Sequence, residues 1–195
     1  MSIKYILISV ISFFISLIIS YKAIPFVDNI GNYFNILDYP NQRKNHKKPI
    51  VRIGGLAIYI SFFISALIGF YLIKLSDLQQ NVSIGLIVLI STSLFIFLGL
   101  SEDIKTLSPR TKLFFHLLFS ILTIIFGLFV GEFHKVVFDL IFFQINIPYF
   151  LVITLGTIWI VGMTNAFNWI DGIDGLASIN SIIIILAVSL LNLHN

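Results

Sequence analysis

The chain has no cysteine, which excludes disulfide staples and thiolate metal sites. Charge is scarce as well: only 11% of the 195 residues are charged, where a soluble domain carries about 25%. The place of those residues is taken by apolar ones, 58% of the chain, with a mean hydropathy of +1.02. No stretch is polar enough to make a soluble domain of any size, so the composition specifies an all-α polytopic membrane protein. Residues 1–195 read as a single transmembrane domain. The net charge of +3 is small, gives no sign of a nucleic-acid partner, and says less than its distribution.

Runs without charge mark the spans, since a helix needs about 20 apolar residues to cross roughly 30 Å of hydrocarbon. Six transmembrane helices are expected, over Tyr5–Tyr21, Ile53–Ile73, Val82–Ser101, Leu113–Gly131, Pro148–Thr164 and Leu176–Leu193. The first lacks a small-residue cleavage site and has too long an apolar run for a signal peptide, so it is kept as a helix. The segment Val136–Ile147 is rich in β-branched and aromatic residues but broken by Asp139, Gln144 and Asn146. It reads as a short hairpin or interfacial segment outside the core. Nine of the twelve lysines and arginines lie at the loops after spans one and three; Lys4, Lys74 and Lys135 lie on the other side. The positive-inside rule then puts the N-terminus outside and both basic loops in the cytoplasm, and parity adds the loop around Asp171. The three most polar loops share one face, as expected of a site built on a helical scaffold.

The first of these loops, from Arg43 to Gly55, carries five cations, His46 and the pair Gly54-Gly55. Such a loop suits a polyanion, and paired glycines let a backbone come close to a phosphate at a helix N-terminus. It would serve equally as a topology anchor that touches anionic headgroups. The second loop places Glu102 beside Asp103 at the end of a span. Their repulsion would be relieved by a divalent cation or a shared proton, and Ser108 would cap a helix beginning at Pro109. The third loop repeats polar residues every third position: Asn165, Asn168, Asp171 and Asp174. Carboxylates at membrane depth are costly. One of them is explained as a cap for the sixth helix; two acids and two amides together suit a site for a cation and a phosphate. Gly172 and Gly175 are expected to break the helix there.

The three loops, taken in order, resemble a known family. His46-Lys47-Lys48-Pro49 with Arg52-Ile53-Gly54-Gly55, then Gly99-Leu100-Ser101-Glu102-Asp103 with Ser108-Pro109-Arg110-Thr111-Lys112, then Asn165, Asn168, Asp171-Gly172 and Asp174-Gly175-Leu176-Ala177, are similar to the motifs of the polyprenyl-phosphate N-acetylhexosamine-1-phosphate transferases. These are the MraY/WecA-type enzymes of glycosyltransferase family 4. The resemblance implies transfer of a sugar 1-phosphate from a UDP-sugar to undecaprenyl phosphate, with Mg2+, at the cytoplasmic face of the plasma membrane. The lipid product would start a cell-envelope polysaccharide. Carried over by position, Asn168 resembles the amide near magnesium, and Asp171 and Asp174 the acids beside the pyrophosphate. Glu102 and Asp103 resemble the carboxylates that handle the acceptor phosphate, and Lys48 and Lys112 the phosphate-side cations.

Two departures stand out. The family usually shows Asp-Asp where this chain has Glu102-Asp103, a change seen in the branch that begins O-antigen or capsule-like glycans. Family members are also longer, with further spans, another acidic residue implicated in magnesium binding and a later nucleotide-sugar loop. The chain is therefore read as an N-terminal portion or truncated member. A complementing C-terminal chain, or a second copy in a homodimer, remains open as a partner. Two rival functions also stay open: a catalytically inactive remnant, and a small transporter using intramembrane acids.

Overall fold

The computed structural model describes residues 3–40, 48–76, 82–130, 148–171 and 175–193. The expected outside hairpin over Val136–Ile147 lies outside those residues, as do His46 and Asp174. The architecture is that of an all-α polytopic membrane protein. The helices are α1 (Ile3–Tyr33), α2 (Gly55–Leu75), α3 (Val82–Ile104), α4 (Pro109–Phe129), α5 (Tyr149–Ile170) and α6 (Leu176–Leu193). Two short strands, β1 (Leu37–Asp38) and β2 (Ile50–Val51), and a 3-10 turn at Arg52–Gly54 come between α1 and α2.

Among the described residues, α1 to α5 are long and apolar enough to cross a membrane. The sixth expected span is a helix with the expected bounds, but its 18 residues reach about 27 Å, just short of the roughly 30 Å hydrocarbon core. The first helix departs most from expectation. It does not stop near Tyr21; it runs 31 residues through Pro25. Proline removes one backbone hydrogen bond from a helix interior. Here Ala23 and Val27 on either side of it are buried with Ile53 and Ala57, and that packing carries the helix on.

The chain divides into two compact units, Ser2–Phe115 and His116–Asn195. In the first, α1 and α2 pack through small residues. The buried positions of α2 are Ala57, Ser61, Ser65 and Gly69, one every fourth residue. Small side chains let helix backbones approach where lipid offers no hydrophobic drive, and a Cβ on Gly69 would sit 3.1 Å from the Ser12 hydroxyl. Helix α3 joins α2 through a short hydrogen bond between the Tyr59 and Ser93 hydroxyls.

Helix α1 ends in a C-cap with a readable cause. Asn35 has a left-handed φ of 58°, a conformation asparagine tolerates better than most residues. The Asn35 N–H donates to Asn32 O at 3.2 Å and the Ile36 N–H to Gly31 O at 2.8 Å. Those are the two bonds of a Schellman motif, and Ile36 packs on the buried cluster as that motif requires. The cap turns the chain into β1, which pairs antiparallel with β2 in the register Leu37 to Val51 and Asp38 to Ile50. The Arg52 N–H extends the ladder to Ile36 O at 3.1 Å.

In the second unit, α4 buries His116, Ser120, Ile124 and Gly127, and Gly156 of α5 comes against Ile124. The side chains described on α6 from Ile182 to Leu190 are exposed on every face, the pattern of a helix that meets lipid or further protein.

Candidate active site

The first unit gathers four charged side chains where α2 begins, α3 ends and α4 begins. Glu102 and Asp103 lie in the last turn of α3. Lys112 lies in the first turn of α4, whose start follows from its sequence: the Thr111 N–H donates to Ser108 Oγ at 3.1 Å, with Pro109 in the first helical position. This is the expected serine cap, with proline where its missing N–H costs nothing. The turn brings Lys112 Nζ to 2.8 Å from Glu102 Oε2 and 2.9 Å from Oε1.

Asp103 finds a different cation. Arg52 Nη2 stands 3.5 Å from its Oδ1, and both side chains are about one-third exposed (35% and 30%). Arg52 is placed by the β1–β2 clasp on one side and by Ile53 on the other, which is buried to 3% exposure. Glycine at position 31 is what lets the clasp seat, since a Cβ there would overlap the Val51 side chain. Each of the adjacent carboxylates thus has a cation beside it. Arg52 was not singled out from the sequence as a site residue. Its signal was its place directly before Ile53-Gly54-Gly55.

Gly54 and Gly55 have helical backbone angles that any residue adopts. A Cβ on Gly54 or Gly99 would meet nothing within 4 Å, and one on Gly55 only Ile96 at 3.9 Å. Neither backbone conformation nor internal packing requires these three glycines. Gly54 and Gly99 border open space, and α2 starts at Gly55 without a side-chain cap. Lys48 stands exposed two residues before β2.

The second unit holds the other group of expected residues. Asn165 and Asn168 lie on the last two turns of α5, which runs six residues past the expected Thr164. The Asn165 amide donates back to Val161 O at 2.8 Å; Asn168 is exposed. Asp171 is the C-cap of α5, its N–H bonded to Phe167 O at 3.1 Å. Helix α5 ends at Ile170 and Gly175 takes the left-handed φ of 78°, so a break of the helix at Gly175 is as expected; Gly172 lies outside the described residues. Asp174 is not among the described residues. A carboxylate at a helix C-terminus faces the negative end of the helix dipole, which costs about 0.3–1 kcal/mol unless a cation is near. Among the described residues no group of three His, Asp or Glu side chains is placed to hold a metal ion. Glu102, Asp103 and Asp171 all stand at helix ends. A transporter would more naturally place its acids near mid-membrane.

The sequence profile of glycosyl transferase family 4 matches residues 85–195. The chain is 31% identical over 185 residues to a probable undecaprenyl-phosphate N-acetylglucosaminyl 1-phosphate transferase of Bacillus subtilis (strain 168), a match covering 94% of this chain and 48% of that protein. It is 29% identical over 169 residues to an undecaprenyl-phosphate alpha-N-acetylglucosaminyl 1-phosphate transferase of Thermotoga maritima, covering 84% of this chain and 43% of that one. The chain spans about half the length of the curated relatives it matches. No solved structure matches it significantly.

Proposed function

The chain belongs to glycosyl transferase family 4, and from that premise we propose that it takes part in transferring a sugar 1-phosphate from a UDP-sugar to undecaprenyl phosphate. The observation that carries this reading is the convergence of Glu102, Asp103, Arg52 and Lys112 at the ends of three helices. The relatives are named for this kind of transfer, with undecaprenyl phosphate as the lipid.

In the reaction, an oxygen of the acceptor phosphate attacks the sugar-bearing phosphorus of the donor. A new P–O bond forms, the bond to the bridging oxygen of the nucleotide breaks, and UMP leaves. Acceptor and donor are both anionic, so little covalent work falls to the protein. Its task is to hold the two phosphates in line and offset their charge. Lys48 and Lys112 bind phosphate oxygens. Glu102 and Asp103 handle the acceptor, one of them receiving its proton. By the family resemblance, Asn168, Asp171 and Asp174 would serve the pyrophosphate of the donor.

Magnesium favours oxygen donors and is usually held by one or two carboxylates together with substrate phosphates. Exposed Asn168 and Asp171, at the carbonyl end of α5, carry oxygen donors of that kind and would be the residues to hold the ion. When bound there it would neutralise charge developing on the pyrophosphate. The basic loops and the positive-inside rule support an active face toward the cytoplasm at the plasma membrane. The product would begin a cell-envelope polysaccharide such as an O-antigen, capsule or teichoic-acid-like glycan.

A second reading is that residues 1–195 turn over only together with the further length present in the relatives, of which they span about half. The test is magnesium-dependent UMP release from UDP-GlcNAc with undecaprenyl phosphate, by the chain alone and by a form extended to the relatives' length. The extended form is expected to turn over, and the chain alone to be silent. Asp171→Asn and Asp174→Asn should each cut turnover about a hundredfold or more, while membrane insertion hardly changes. Glu102→Asp should be mild. Near-normal turnover in both Asn variants would reduce the third loop to a helix cap and remove its chemistry from the proposal.

A further inference from the structure

We propose that Arg52 and Lys112 form a masked clamp for a phosphomonoester dianion, occupied by Asp103 and Glu102 until that anion displaces them. This rests on the transferase reading, which supplies the anion, but it makes a separate claim: the two carboxylates compete with the acceptor for the cations that bind it.

The charge count comes first. Two cations face two carboxylates, so the closed cluster presents no net charge to an arriving phosphate. A dianion gains strong contacts here only by taking over the cations. The two pairs are unequally closed. Lys112 reaches both oxygens of Glu102, at 2.8 and 2.9 Å, the normal length of a charge-assisted bond. Arg52 meets Asp103 through one nitrogen at 3.5 Å, longer than such a bond. Most of its five N–H donors therefore remain for another acceptor. Arg52 is the open jaw, and its planar fork suits phosphate.

Space and rigidity agree with this order. The backbone of Arg52 is fixed by its bond to Ile36 O and by buried Ile53, and Lys112 sits in a capped helix. Exchange thus needs only side-chain movement. A Cβ at Gly54 or Gly99 would meet nothing within 4 Å, and Gly99 lies one turn before Asp103 on the same face of α3. Stapling helices together is a weaker account of the pairs. Partly exposed ion pairs contribute only about 0–1 kcal/mol. Exchange would also order the chemistry, since Asp103 and Glu102 become free to meet a cation only once the acceptor phosphate is held.

The test is equilibrium binding to the 195-residue chain in phosphatidylcholine nanodiscs. The probes are a short polyprenyl phosphate, inorganic phosphate, and nanodiscs doped with phosphatidylglycerol. Glu102→Gln and Asp103→Asn, which remove a competitor, should each bind polyprenyl phosphate about threefold to fivefold tighter than the native chain. Arg52→Gln and Lys112→Gln should bind it at least about tenfold more weakly. Thermal unfolding of each variant in the same nanodiscs separates lost binding from lost fold. Competition by inorganic phosphate would support the clamp and show that the lipid tail is dispensable to it. Competition by phosphatidylglycerol, a phosphodiester monoanion, would overturn it. Native binding with weaker or unchanged affinity in both acid variants would overturn the masking alone and leave the transferase reading standing. Absence of polyprenyl phosphate binding in the native chain and every variant would overturn both.

Discussion

Gly31→Ala is the sharpest probe of how the chain holds Arg52 in place. On helix propensity alone the change is favourable, because alanine is better than glycine in a helix interior by up to about 1 kcal/mol. Packing opposes it. The new Cβ would overlap the side chain of Val51. Valine is β-branched and stiff at χ1, and its backbone is held in register opposite Leu37, so it has nowhere to turn. Overpacking of this kind costs about 1–3 kcal/mol. The two effects leave a net loss of about 0–2 kcal/mol, too wide a range to decide the matter from one variant. A double-mutant cycle decides it. Val51→Ala removes the methyl groups that clash, so in the double variant the helix gain returns and the penalty does not. The coupling between the two sites should be favourable by about 1 kcal/mol or more, against about 0.3–0.5 kcal/mol for independent sites. Helix content followed through unfolding of the purified protein in detergent reads all four corners. If Gly31→Ala stabilises the native background, or if the two changes simply add, the clasp does not seat on Gly31 and the account of how Arg52 is positioned fails.

Three further expectations follow from single features. Ser108→Ala should lower stability by about 0.5–2 kcal/mol and Ser108→Asp should largely restore it, since both Ser and Asp cap a helix; equal unfolding midpoints for all three would show that the Thr111 N–H to Ser108 bond contributes nothing. Thr157 is buried in α5 with no hydrogen-bond partner for its hydroxyl among the described residues, so Thr157→Val should be neutral or stabilise by about 1 kcal/mol; a clear loss in the same unfolding assay would mean the hydroxyl has a partner. The nine-to-three asymmetry of lysine and arginine predicts that Asn45→Cys, Thr106→Cys and Gly172→Cys are shielded from an impermeant thiol reagent outside cells while Asp77→Cys is labelled; labelling of Gly172→Cys together with Asp77→Cys would overturn the six-span arrangement.

The helices were legible because lipid imposes one simple rule on sequence, a long run without charge. Where that rule was also used to end a helix, it misled. Lys22 ends the run without charge, not α1, which continues to Tyr33 with Ala23, Val27 and Gly31 buried on one side of it. The same holds at Thr164, where polar residues begin but α5 goes on to Ile170. A bilayer edge and a helix end are separate events, and the second needs its own signal. Such signals were present at Ser108-Pro109 and at Gly175, and they were readable. The left-handed cap at Asn35 was not read, because the first helix was expected to end near Tyr21. The two-residue strands that follow it have no pattern to read, since alternation needs about four residues to show.

The site divides in the same way. The adjacent pair Glu102-Asp103 was singled out from the residues themselves and Lys112 through the family resemblance; the serine cap makes the turn between α3 and α4 local and sets Lys112 beside Glu102. Which cation meets which acid was not legible, because that depends on contacts made far along the chain. Arg52 reaches Asp103 only because β2 is seated on α1, and β2 is seated only because position 31 has no side chain. A glycine in the last turn of a helix reads locally as a weak point. Its consequence appears twenty-one positions on, at Arg52, and its chemical meaning further still, at Asp103. The pairing also alters the reading of the acids themselves. Two adjacent carboxylates taken alone ask for a metal or a proton; with a cation on each, they are neutralised, and the question becomes what anion would draw the cations away. That question follows from the 2.8 and 3.5 Å contacts, and no spacing in the sequence could have posed it.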